Sequence, residues 1–65
     1  MTITDQLAAA KRELELRRRV YPKWVREGRM QPEKAADETE SMAAIVETLQ
    51  KLQYLEEVSN QLKNT

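Results

Sequence analysis

The first third of the chain carries a row of apolar residues that are spaced alternately three and four positions apart. This spacing is typical of the packed seam of an α-helix. Arg17 alone places a charge in the row, and a charge in a packed seam is costly unless it is paired. The row consists of Ile3, Leu7, Ala10, Leu14, Tyr21 and Trp24.

A second row with the same alternation follows Pro32, a residue that suits the first position of a helix because its missing amide would be unpaired there anyway. It predicts a second helix over about residues 32–60. After Leu52 the spacing shortens to three, which overwinds the seam locally. The row contains Ala35, Met42, Ile45, Leu49 and Leu52, and continues through Leu55, Val58 and Leu62.

Two residues interrupt the helical pattern, one near the end of the first row and one between the rows. Pro22 has no amide to donate to the carbonyl of Arg18, and its ring clashes there, so we expect the first helix to kink or restart at Pro22. Gly28 is the only glycine and can adopt the left-handed conformation that ends many helices. The expected organisation is a first helix over about 3–27, kinked at Pro22, and a turn over 28–31.

Two such helices joined by a short turn predict an all-α fold, an antiparallel helical hairpin that forms a single domain over 1–65. Aligning the rows places Leu14 level with Ile45 and Ala10 level with Leu49. A 65-residue chain without Cys or His has neither disulfides nor common metal sites to strengthen a small core, so we expect oligomerisation, most simply into a dimeric four-helix bundle. The candidate oligomer interface consists of Leu16, Val20, Val46, Leu55, Val58 and Leu62.

Charge is balanced overall, with eleven basic and eleven acidic residues, but it is segregated along the chain. Residues 11–29 carry eight basic and three acidic side chains, and residues 33–57 carry seven acidic and two basic ones. The balance argues against coating of nucleic acid or of an anionic membrane. Arginines seven apart form a basic ridge on the outward side of the first helix, and glutamates seven apart form an acidic ridge on the second. Each ridge is either a solvated face or a contact surface for another molecule. The ridges are Arg12, Arg19 and Arg26, and Glu33, Glu40 and Glu47.

The composition leaves little room for catalysis. Without His or Cys, soft-metal sites and common nucleophilic devices are excluded, and one glycine cannot build a phosphate-binding loop. We therefore predict no enzyme activity and no cofactor. The N-terminus lacks a signal-peptide pattern, and no apolar run approaches the ~20 residues of a membrane span, so we expect a cytoplasmic protein.

Tyr21 and Trp24, which lie among basic side chains, form the one combination with binding potential. Flat rings can stack on bases, and guanidinium groups can hold phosphates. The alternative interpretation is that the two aromatic residues belong to the core, as their place in the apolar row favours. The candidate residues for binding a partner or ligand are Arg17, Arg18, Arg19, Tyr21, Lys23, Trp24 and Arg26.

Residues 17–50 resemble a group of short, largely uncharacterised bacteriophage and prophage proteins. In that group a V-Y-P-x-W-V-x-x-G-[RK]-[ML] turn precedes a helix that ends in M-x-A-I-V. The segments that carry the resemblance are Val20-Tyr21-Pro22-Lys23-Trp24-Val25, Gly28-Arg29-Met30, and Met42 with Ala44-Ile45-Val46. Glu33, Ala36 and Glu40 also match. The resemblance implies a phage accessory protein that acts in the bacterial host cytoplasm, and it implies no particular activity.

The expected function is therefore that of a non-enzymatic accessory protein, which self-associates and binds a host macromolecule, for example as an inhibitor of a host or defence protein. Two alternatives stay open: a nucleic-acid or nucleotide binder that sequesters its ligand, and a structural assembly component. The expected partners are a second copy of the chain and a host protein, with nucleic acid less favoured and no membrane.

Overall fold

Two long helices account for almost all of the structure, a computed structural model that describes residues 1–63. Helix α1 spans Ile3–Arg26 and helix α2 spans Pro32–Lys63, and no strand occurs among the described residues. The helices pack against each other. Their direction is antiparallel, because Thr4 near the start of α1 contacts Gln53 in the later part of α2. The prediction of an all-α helical hairpin is confirmed.

The start of α1 is capped by its own side chains. The amide of Asp5 donates a 3.0 Å hydrogen bond to the Thr2 hydroxyl, and the Thr2 amide donates to the Asp5 carboxylate at 3.4 Å. This reciprocal arrangement satisfies two amides that have no partner within the helix, and the Asp5 charge also suits the positive end of the helix dipole.

The end of α1 is a Schellman motif built around Gly28. This glycine has φ +72°, and its amide donates to the carbonyl of Val25 at 3.1 Å. The Arg29 amide donates to the carbonyl of Trp24 at 2.8 Å. These two hydrogen bonds satisfy carbonyls at the end of the helix and turn the chain toward Pro32, the first residue of α2.

Helix α1 continues through Pro22, so the restart that the sequence suggested does not occur. Proline removes one hydrogen bond, the one to the Arg18 carbonyl, and leaves the following amides free to donate. The Glu27 amide closes the last turn with a 3.0 Å hydrogen bond to the Lys23 carbonyl. The loss of this one hydrogen bond at Pro22 therefore does not end the helix.

The core is a narrow seam between the helices. Its buried residues lie at helical spacing on both sides, with Ala43 and Leu49 packed partly buried against them. The buried residues are Leu7, Ala10, Leu14, Met42 and Val46.

No membrane-spanning stretch is found in either helix over the described part of the chain.

The expected alignment of the two rows is wrong by about one helical turn. Ile45 and Leu52, expected in the seam, are 48% and 45% exposed. The hydrogen bonds from Arg17 to Glu38 and from Gln53 to Thr4 set the register, which brings Met42 rather than Ile45 level with Leu14. The seam face of α2 follows Met42, Val46, Leu49 and Gln53, a row with the same periodicity as the predicted one. Val46, predicted to flank the seam as an interface residue, is 7% exposed within it.

Candidate protein-binding surfaces

Arg17, the charge within the first apolar row, contacts residues of both helices. Its Nε donates a 2.9 Å hydrogen bond to Glu13 Oε1, and its Nη1 donates a 2.7 Å hydrogen bond to the main-chain carbonyl of Glu38. The Glu38 carboxylate lies 3.7 Å away, and the guanidinium carbon lies 6.0 Å from the centre of the Tyr21 ring. The hydrogen bond with Glu13 raises the pKa of Arg17. This arginine thus links the two helices and is not available as a free phosphate ligand.

The aromatic pair lies beside Arg17 and is half-buried. The Tyr21 and Trp24 rings stack with centroids 5.7 Å apart and planes 29° apart. The Arg29 guanidinium lies over the Trp24 ring, 5.2 Å from its centre. This contact follows from the Schellman motif, which brings the second residue after the cap next to the third residue before it. Sequence reasoning missed Arg29, although its spacing from Gly28 could have indicated it.

The other four basic candidates, Arg18, Arg19, Lys23 and Arg26, lie on the exposed surface of α1. The structure therefore separates the predicted site into two parts. Arg17, Tyr21 and Trp24 are occupied by contacts within the chain, whereas the four remaining basic side chains are accessible to a partner.

A shallow groove of about 350 Å³ runs between the helices near the turn. Its walls combine apolar surface from Tyr21, Pro22 and Ala36 with an exposed charge of each sign, Arg18 on α1 and Glu40 on α2. Such a groove can accept a side chain of a protein partner.

An exposed apolar surface lies on α2 outside the seam. Ile45, Leu52 and Leu55 share this face because they are separated by seven and three residues, and Leu55 is 59% exposed. On α1, Leu16 is also exposed. Sequence reasoning placed Ile45 and Leu52 in the seam and so left them out of the candidate interface. The missed signal is the second apolar row of α2, which overlaps the first.

The predicted interface residues differ in their accessibility. Leu16, Leu55 and Leu62 are exposed, Val20 and Val58 are half-buried, and only Val46 is buried. Helix α2 also extends beyond α1. Because Thr4 contacts Gln53, the ten residues from 54 to 63 project past the start of α1 by about 15 Å.

The two helices carry opposite charge. Over Ile3–Arg26, α1 has seven basic and three acidic side chains, and over Pro32–Lys63, α2 has three basic and seven acidic ones. The hairpin thus presents a basic surface on one helix and an acidic surface on the other. Comparison with protein-family models, curated proteins and solved structures finds no match for this chain.

Proposed function

We propose that this chain is a non-enzymatic accessory protein of the phage type, which self-associates in the host cytoplasm and acts by binding a host protein. The observation that carries the proposal is the exposed apolar face of α2, formed by Ile45, Leu52 and Leu55. An exposed apolar stripe is typical of an interaction surface. The resemblance of residues 17–50 to short phage proteins supports the assignment of origin.

The amount of exposed surface supports self-association. The hairpin exposes 5188 Å², whereas a compact monomer of 7.6 kDa is expected to expose about 4,300 Å². The excess of roughly 900 Å² is close to the ~800 Å² that each partner contributes to a standard protein interface. Pairing of two hairpins would bury this surface in a four-helix bundle. A kink of α1 at Pro22 belongs to the same proposal, because it would adapt the end of α1 to the bundle.

The host partner would bind the accessible basic side chains of α1. Arg18 and Arg26 are exposed and suit an acidic surface of a protein. Nucleic acid is less favoured for two reasons. The rings of Tyr21 and Trp24 already stack on each other, with Arg17 over Tyr21 and Arg29 over Trp24, and the acidic α2 would repel a polyanion that approached both helices.

Light scattering at tens of micromolar tests self-association, and a dimer mass is the expected result. A monomer mass, together with a melting temperature that does not change with concentration, would contradict it. A larger, open-ended assembly would instead favour the role of a structural assembly component.

Capture from bacterial lysate tests the host partner. The wild-type chain should retain a protein that Arg18→Glu and Arg26→Glu variants release, while a Glu57→Gln variant, changed at the far end of α2, should retain it. The competing nucleic-acid function is tested by titrating single-stranded DNA, RNA and nucleotides at low salt. A saturable change of Trp24 fluorescence that weakens steeply with salt would replace the host protein by a nucleic acid or nucleotide.

A further inference from the structure

We infer that two copies of the hairpin pair face to face with their turns at the same end, so that α1 of each copy lies along α2 of the other. This inference rests on the proposed self-association and specifies its surface and direction. Three observations carry it: the apolar residues of both helices lie on one side of the hairpin, the helices are oppositely charged, and the register places opposite charges at nearly the same level.

The contact between Arg17 and Glu38 identifies the side of the hairpin. Ile45 and Leu52 follow Glu38 by seven and fourteen residues, so they continue along α2 on the same side as Glu38. On α1, Val20 follows Arg17 by three residues and lies on the same side as Arg17. Since Arg17 and Glu38 contact each other, these apolar residues of α1 and α2 belong to a single face.

Two further residues extend this face. Leu16 precedes Val20 by four residues on α1, and Leu55 follows Leu52 by three residues on α2. The face thus takes in most of the apolar side chains that the hairpin leaves exposed. A second copy is the occupant we infer, because the whole hairpin exposes about 900 Å² more than a compact chain of its mass, which is close to what one partner contributes to a standard interface.

Twofold symmetry allows two ways to stack this face on itself with the helices aligned. With the turns at opposite ends, α1 lies on α1 and α2 lies on α2, so basic helices and acidic helices each face their own kind. With the turns at the same end, each basic α1 lies along an acidic α2. Electrostatic complementarity fixes the orientation of partners in this way, and it selects the second arrangement.

The register identifies a specific pair across this interface. In an antiparallel pair, two residues forward along α1 from Arg17 correspond to two residues back along α2 from Glu38, so Arg19 is level with Ala36 and within about 1.5 Å, one residue, of the level of Asp37. In the same-end arrangement the two copies share these levels, so Arg19 of one copy lies within about one residue of the level of Asp37 of the other.

Both residues border the apolar face. Arg19 follows Leu16 by three residues, and Asp37 precedes Leu55 by eighteen residues, which is five full helical turns. Within residues 1–63, neither Arg19 nor Asp37 takes part in an intrachain ion pair. They are therefore available to each other across the interface.

A charge exchange tests the pairing. Arg19→Glu alone and Asp37→Arg alone each place like charges together twice per dimer, and each should weaken homodimerisation about five- to tenfold. Mixing the two variants restores both pairs, so native mass spectrometry should find the mixed dimer in excess. Lys11→Glu makes the same charge change on the other side of α1, beside Val46, and should leave the dimer unchanged. A statistical mixture of dimers would overturn the inferred pairing.

A distance measurement tests the direction of packing. The chain has no cysteine, so Gln31→Cys places one spin label in each turn. Turns at the same end should give a single distance below about 30 Å, because neighbouring helices in a bundle lie 8–10 Å apart. Turns at opposite ends should give more than about 35 Å, the length of a 24-residue helix, and that result would overturn the inferred direction.

The apolar face is tested separately from self-association itself. Leu52→Lys should abolish the dimer, whereas Tyr54→Lys, an exposed position on a different face of α2, should leave it intact. A dimer that survives Leu52→Lys would overturn the face while leaving self-association standing. A monomeric wild-type chain would overturn both the proposed function and this inference.

Discussion

Arg17 joins the two helices by donating a 2.7 Å hydrogen bond from Nη1 to the main-chain carbonyl of Glu38. The acceptor belongs to the backbone of α2, so the contact depends on where α2 lies and not on the side chain at position 38. The same guanidinium donates to Glu13 on its own helix through Nε. Arg17 therefore holds α2 at a fixed level along α1, and it keeps its charge satisfied at the edge of the seam.

Arg17→Ala should lower the free energy of unfolding by about 1–3 kcal/mol, because it removes charge-assisted hydrogen bonds made by a side chain that is only 20% exposed. Urea denaturation followed by circular dichroism measures the loss. Glu38→Gln should cost much less, since the backbone acceptor remains. The exposed neighbour Arg18, replaced by Ala, should change the stability by no more than ~0.5 kcal/mol. Equal losses at Arg17 and Arg18 would contradict the interhelical role.

Leu14→Ala and Met42→Ala should each cost about 2–5 kcal/mol, because both side chains are buried in the seam and their truncation leaves a cavity. The loss should be the same at every protein concentration at which the chain is monomeric. Ile45→Ala serves as the contrast. Its side chain is exposed within a single chain, so the variant should weaken association while the monomer keeps its stability. If Ile45→Ala destabilised the monomer as much as Leu14→Ala does, the result would support the alignment predicted from the sequence, in which Ile45 packs against Leu14 in the seam.

Gly28→Ala should lower the free energy of unfolding by about 1–2 kcal/mol, the cost of a left-handed conformation for a residue with a Cβ. The cost is conformational, because an added Cβ would meet no atom within 4 Å. Thermal unfolding measures it. Gly28→Asn should recover part of the loss, since Asn tolerates φ near +72° better than Ala does. Equal melting temperatures for the glycine and alanine forms would mean that the helix ends differently.

Arg29→Ala should remove the guanidinium from the face of Trp24 and lower the free energy of unfolding by about 0.5–1 kcal/mol. The tryptophan emission should move to longer wavelength as water reaches the ring. Arg26→Ala removes an exposed arginine from the same turn region and should leave the emission unchanged. An identical emission shift in both variants would indicate a general loosening of the turn.

The helical character of this protein follows from local properties of the sequence. Apolar residues spaced three and four apart define a helical face, and the first row leads directly to the buried Leu7, Ala10 and Leu14. A single glycine and Pro32 end one helix and begin the next for reasons that depend only on their own backbone geometry. Periodicity and turn chemistry therefore determined the all-helical hairpin without any knowledge of packing.

Only the tertiary structure decided which face of α2 enters the seam. The predicted row and the observed row of α2 share Met42 and Leu49. They differ in the residue between these two, which is Ile45 in the predicted row and Val46 in the observed one. Both rows have helical spacing, so periodicity cannot choose between two faces whose mean directions differ by only about 50°, half the rotation of one helical residue. The rotation depends on packing against the other helix, where Met42 and Val46 join the buried residues of α1 in one cluster. The hydrogen bond across the helices likewise decided that Arg17 is a structural link, and the same packing left Ile45 exposed.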